Sequence, residues 1–125
     1  MNGEFTRVDE AKNRIYIYFR GYLTEEKALR LKEEYKDAIA KVRPGFTVVT
    51  YAEEYTPGGA EVQKIVGEMT KMAEDGGVRK VARVVGETPL GGMQINRLAK
   101  VKTKYPARHF RTTEEAEAYL DSEED

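Results

Sequence analysis

The chain has no cysteine and no tryptophan, a single histidine and four prolines in 125 residues. Without cysteine there is no disulfide, no thiolate nucleophile and no sulfur ligand for a metal. A secreted protein of this size would more often carry a disulfide framework, so a cytoplasmic location is expected. No stretch approaches the ~18 apolar residues of a membrane span, and the segment from Met1 to Asp9 shows no basic run followed by an apolar one, so neither membrane insertion nor a targeting signal is expected. With His109 alone, a histidine metal cluster or a Ser-His-Asp arrangement has no supporting pattern, and a structural role is the plain reading. No catalytic residue, metal or cofactor is therefore assigned.

What is present is the composition of one folded domain. Hydrophobic residues make up 40% and charged residues 34%, too apolar for a disordered chain and too polar for a membrane protein. The near-neutral total hides an uneven distribution. Residues 1–78 hold 12 Lys/Arg and 14 Asp/Glu, residues 79–111 hold nine Lys/Arg against Glu87 alone, and residues 112–125 hold seven acidic residues and no basic one. We expect a single domain over residues 1–120 and an acidic, frayed tail over 121–125.

Phe5 to Val8 and Arg14 to Arg20 are rich in β-branched and aromatic residues around the polar Asp9 to Asn13 turn, which predicts a hairpin. Thr24 caps a helix over 24–42 whose inner stripe is Ala28, Leu31, Tyr35, Ala38, Ile39 and Val42. Arg43-Pro44-Gly45 stops it before a strand over 46–51. Thr56-Pro57 opens a second helix to residue 75, with Gly76-Gly77 as its stop. A strand over 78–85, a third helix over 89–102 begun by Thr88-Pro89, a short strand over 107–110 and a fourth helix over 113–120 complete the chain. Thr112-Thr113-Glu114-Glu115 is a capping box for the last of these. The fold class is α/β: a mixed sheet, antiparallel in its first hairpin and parallel afterwards, with about four helices.

That order of elements, together with the end reading Phe110-Arg111-Thr112-Thr113-Glu114-Glu115-Ala116-Glu117-Ala118-Tyr119-Leu120, resembles the STAS fold of anti-sigma-factor antagonists. It looks closest to the small stand-alone bacterial proteins of that superfamily, through Gly21-Tyr22-Leu23-Thr24, Lys41-Val42-Arg43-Pro44-Gly45-Phe46 and Arg83-Val84-Val85-Gly86. The resemblance implies a non-enzymatic regulatory or binding module. In the regulatory members a segment resembling Asp-Ser-Ser-Gly carries the phosphorylated serine. Tyr55-Thr56-Pro57-Gly58 stands there in this chain, with Pro57 directly before the glycine, so the phosphosite is not carried over.

Four constellations bear on function. The helix starts Thr56-Pro57-Gly58-Gly59 and Thr88-Pro89-Leu90-Gly91-Gly92 follow successive parallel strands, whose carboxyl ends are where open α/β sheets bind ligands. Thr56, Gly58, Gly59, Thr88, Gly91 and Gly92, joined by Arg83, would border an anion site built on amide groups and helix dipoles; ordinary capping explains the same residues. Arg97, Lys100 and Lys104 form a basic stripe at helical spacing, with Arg79, Lys80, Arg83, Arg108 and Arg111 near it in sequence. A nucleic-acid partner would use such a stripe, but the balanced charge and the absence of a recognisable motif argue for a solvated face. Glu53-Glu54, Glu74-Asp75 and Glu87 are read as surface charge. Tyr16 and Tyr18 alternate with Ile15, Ile17 and Phe19, so one strand is apolar on both faces. It is either covered by helices on both sides or part of an apolar pocket or homodimer surface, and the architectural likeness of CRAL-TRIO domains makes an apolar ligand the form of the pocket reading. A protein partner or a small anionic or apolar ligand ranks first, a small enzyme or nucleotide-binding protein using the Thr56 and Thr88 starts second, and a nucleic-acid-associated protein third.

Overall fold

The structure, a computed structural model, describes residues 5–56, 59–84 and 107–122. Five strands form one sheet in the order β1 (Thr6–Asp9), β2 (Arg14–Tyr22), β3 (Thr47–Thr56), β4 (Lys80–Val84), β5 (Ala107–Phe110). β1 and β2 are antiparallel, and each later pair is parallel. The helices are α1 (Glu25–Lys41), α2 (Ala60–Gly76) and α3 (Thr113–Asp121). The parallel pairing of the 46–51 and 78–85 segments, on which the expected architecture depended, is present as Thr47↔Lys80 through Tyr51↔Val84. The expected helix over 89–102 lies outside the described residues.

Strand alternation sends the two sets of side chains to different layers. Ile15, Ile17, Phe19, Val48 and Val81 pack with α1 and α2 in the larger core, while Tyr16, Val49, Ala82 and Val84 pack with Ala116 and Leu120 of α3 in a second one. The doubly apolar β2 is thus covered on both sides, as the plainer of its two readings required.

Local signals account for most element ends. The Thr24 side chain accepts the Lys27 amide at 3.2 Å and that of Thr112 the Glu115 amide at 3.2 Å. The Glu115 carboxylate takes the Thr112 hydroxyl rather than the Thr112 amide, so the expected capping box closes through the side chains. The second helix differs from its expected start. Thr56 does not cap it; β3 runs through Thr56, in register with Tyr22, and Gly59 is the N-cap without a side-chain bond. β2 extends to Tyr22 past a register shift between Tyr18 and Arg20, so a ladder partner awaits residues 54–56, and the ladder outcompetes the cap. The last helix reaches Asp121 and is capped by Ser122, one residue into the segment expected to fray.

The α1–β3 and α2–β4 turns are stitched together where the helices stop. Gly77 adopts φ 89°, its carbonyl accepts the Gly45 amide at 2.7 Å, and the Phe46 carbonyl accepts the Arg79 amide at 2.7 Å. A Cβ on Gly77 would sit 3.1 Å from Pro44 Cβ and 3.2 Å from Pro44 Cα. Gly77→Ala is expected to cost about 2 kcal/mol, through the left-handed backbone and that contact. Gly67→Ala is the opposite case: it lies inside α2, where a Cβ meets nothing within 4 Å, and it should gain about 0.5–1 kcal/mol from helix propensity. Urea unfolding of the two variants checks the contrast; equal effects would contradict it.

Candidate functional site

The basic residues of β2 and β4 do not form one surface. At the amino-terminal ends of these strands Arg14, Lys80 and Arg79, the residue before β4, converge on α3. Arg14, buried in the second layer, sends Nε to Thr47 Oγ1 at 2.9 Å, one terminal nitrogen to Glu117 Oε1 and the other to Asp121 Oδ1 at 2.7 Å. The Glu117 carboxylate also accepts the Tyr16 hydroxyl at 2.9 and 3.1 Å. Lys80, fully buried, donates from Nζ to the carbonyls of Tyr119 at 3.0 Å and Ser122 at 2.7 Å, and Arg79 donates to the Leu120 carbonyl at 2.7 Å. Cations are thus placed on the orphan carbonyls at the negative end of a helix dipole.

Electrostatics follow from this geometry. Burial works to lower the Arg14 pKa, but its hydrogen bonds to Asp121 and Glu117 prevail and hold it above the ordinary value. Burial first, and the Glu117 carboxylate second, push the Tyr16 phenol up. The hydrogen bond from Arg14 holds the Asp121 carboxyl below its usual range. A carboxyl depressed in the folded state adds stability above its unfolded pKa and loses it as pH falls through the folded one. Stability should therefore drop more steeply below about pH 4 in the native chain than in Asp121→Asn, as acid titration by circular dichroism would show; parallel curves would deny Asp121 this role.

Arg83 lies on the other face. Three residues after Lys80, it points to the α1–α2 layer with Val81, and it lines a cavity of about 40 Å³ together with Ile17, Phe19, Tyr35, Thr50, Val66, Met69, Thr70 and Val81. Tyr35 comes from α1, Thr50 from β3, and Val66, Met69 and Thr70 from α2, so the space lies between the sheet and both long helices. Arg83 is 3% exposed, Tyr35 5% and Thr50 6%. Among the described residues lining the cavity, Arg83 is the one charged side chain.

Three of the seven residues singled out for an anion site lie among the described residues. Arg83 faces the helix layer, Thr56 ends β3, and Gly59 caps α2. Gly58, Thr88, Gly91, Gly92, Arg97, Lys100 and Lys104 lie outside the described residues. Arg79 and Lys80 are both tied to the α3 backbone; Lys80 is buried there, whereas Arg79 stays exposed. His109 is exposed on β5, at the end of the strand order. Tyr18 and Tyr51, paired across β2 and β3, stack at 4.8 Å with an interplanar angle of 5°. Arg7 lies over the Tyr16 ring at 3.9 Å, and its hydrogen bond to Tyr18 raises its pKa. Among the described residues no group of three or more His, Asp or Glu is placed to hold a metal ion, and no helix is long and apolar enough to cross a membrane. Thr50 and Tyr35 were not readable as site residues. Thr50 is one position in a buried strand, set beside Arg83 by the β3–β4 register, and Tyr35 is one position on a helix stripe, brought to the same space by packing. Neither a family model nor a curated protein matches the chain.

Proposed function

We propose that the chain is a non-enzymatic binding module of STAS-like type that acts by taking up a small anionic ligand or a protein partner. The antiparallel first hairpin, the parallel strands after it and the closing helix with its Thr112 cap agree with that resemblance. The observation that carries the ligand reading is Arg83: a guanidinium 3% exposed, lining a cavity together with the hydroxyl-bearing Tyr35, Thr50 and Thr70. A charged side chain lining free volume between the sheet and two helices supports a binding role. A cavity of about 40 Å³ is an order of magnitude below the ~300–1,000 Å³ of sites for drug-sized ligands, which disfavours the lipid-like ligand and the nucleotide. The burial of Lys80 against α3 weakens the nucleic-acid reading.

A native mass spectrum of the protein purified from its own host tests the proposal. A retained small molecule or bound partner is the expected result. A bare chain that binds nucleic acid with steep salt dependence, and releases it between low and physiological salt, would replace the proposal with the nucleic-acid reading.

A further inference from the structure

We infer that the open edge of β1 is guarded against pairing with a second copy of this chain by the Glu34 carboxylate, which occupies the place where the backbone carbonyl of an added strand would bind. Among the described residues β1 has β2 as its one neighbour and stands at an end of the strand order. Such an edge offers unpaired backbone groups to any strand that can lie beside it.

The ladder fixes which groups those are. The Tyr18 amide donates to the Phe5 carbonyl at 2.8 Å, which makes Thr6↔Ile17 a non-hydrogen-bonded pair of the antiparallel ladder. The N–H and C=O groups of Thr6, and two residues on those of Val8, therefore point away from β2. Glu34, on α1, meets the first of these donors. Its Oε1 accepts the Thr6 amide at 3.1 Å, together with the Phe5 amide at 2.8 Å and the Thr6 hydroxyl at 3.2 Å. An added strand would have to displace that charged acceptor before its own neutral carbonyl could reach Thr6, and a charge-assisted bond is the stronger of the two.

The charges on β1 identify the excluded partner as a second copy. In a two-fold pairing of β1 with itself, the register that sets Thr6 against Val8 of the other copy gives every outward group a partner. The same register sets Arg7 against Arg7, a like-charge contact. Sliding to Val8 against Val8 would bring Arg7 to Asp9, but the flanking bonds would then need the Glu10 carbonyl, which already accepts the Asn13 amide at 3.2 Å. The attractive register is thus confined to the Val8 pair, and the better-bonded one is opposed by Glu34 and Arg7 together.

Sedimentation velocity over a concentration series, with circular dichroism to confirm folding, compares the native chain with Glu34→Ala, Glu34→Gln and the double variant Arg7→Thr, Glu34→Ala. The double variant is expected to self-associate at least about tenfold more tightly than the native chain, because each copy regains one amide for pairing. Glu34→Ala should show a smaller effect, and Glu34→Gln, which keeps an acceptor at Oε1, should follow the native chain. Val8→Pro added to the double variant should abolish the association, since it removes an outward donor without cutting the β1–β2 ladder. If the double variant does not fold, amide exchange in the native chain decides: the Thr6 amide should exchange more slowly than the Val8 amide on the same edge. A folded double variant that associates no more tightly than the native chain, association that survives Val8→Pro, Glu34→Gln behaving as Glu34→Ala, or equal exchange of the two amides would overturn the inference.

Discussion

Arg14→Met is expected to lower stability by about 2–3 kcal/mol. Breaking a fully buried ion pair costs about 3–5 kcal/mol because one charge is left unpaired in the interior. Here the Arg14 side chain is 4% exposed, but its partners Glu117 and Asp121 are 25% and 58% exposed, so solvent screens part of the loss and the figure is reduced accordingly. Methionine keeps most of the packing volume, which confines the change to the polar contacts. Thr47 Oγ1 loses the Arg14 Nε donor, and Glu117 keeps the Tyr16 hydroxyl and a 3.8 Å approach of Lys12. The double variant Arg14→Met, Glu117→Gln should recover part of the loss by removing the charge left behind. Chemical denaturation of the native chain, both single variants and the double variant closes the cycle; strictly additive losses would mean that Arg14 and Glu117 do not act together.

Phe46→Ala should have the larger effect, about 3–5 kcal/mol, enough to unfold much of a marginally stable domain. Phe46 is completely buried at the entrance to β3, and its ring lies directly over the last turn of α2, where a Cβ on Gly76 would come within 3.4 Å of it. The site has little room to collapse around a cavity, because the turn on either side is held by the Gly45–Gly77 and Phe46–Arg79 hydrogen bonds. Phe46→Leu, which keeps more of the volume, should cost less. Thermal unfolding of the three proteins measures this, and an alanine variant within 1 kcal/mol of the native chain would show that Phe46 does not anchor the α1–α2 layer.

The division between what was readable in the residues and what was not follows physical range. Helix caps at Thr24 and Thr112, the stop at Gly77, the inner stripe of α1, and the two-faced β2 depend on interactions within a turn or on periodicity, and the order of those elements already implies a sheet that is antiparallel once and parallel afterwards. The odd spacing of Lys80 and Arg83 likewise places them on opposite faces of β4 from sequence alone. What covers each face is a matter of tertiary packing. Lys80 meets the end of a helix that begins 33 residues later and Arg14 meets carboxylates 103 and 107 residues away, so the Arg79–Arg83 run is divided between a helix end and a pocket on the opposite face of the sheet. Thr56 shows the same limit from the other side. Its local capping signal is sound, but Tyr22, 34 positions earlier, supplies a ladder partner, and backbone pairing across the sheet decides the outcome. Arg83 was conspicuous by its charge; Thr50 stands beside it through the β3–β4 register, and Tyr35 reaches the same space only through the packing of α1 on the sheet, because a hydroxyl in a buried strand and a tyrosine on an apolar stripe carry no signal of the space they enclose.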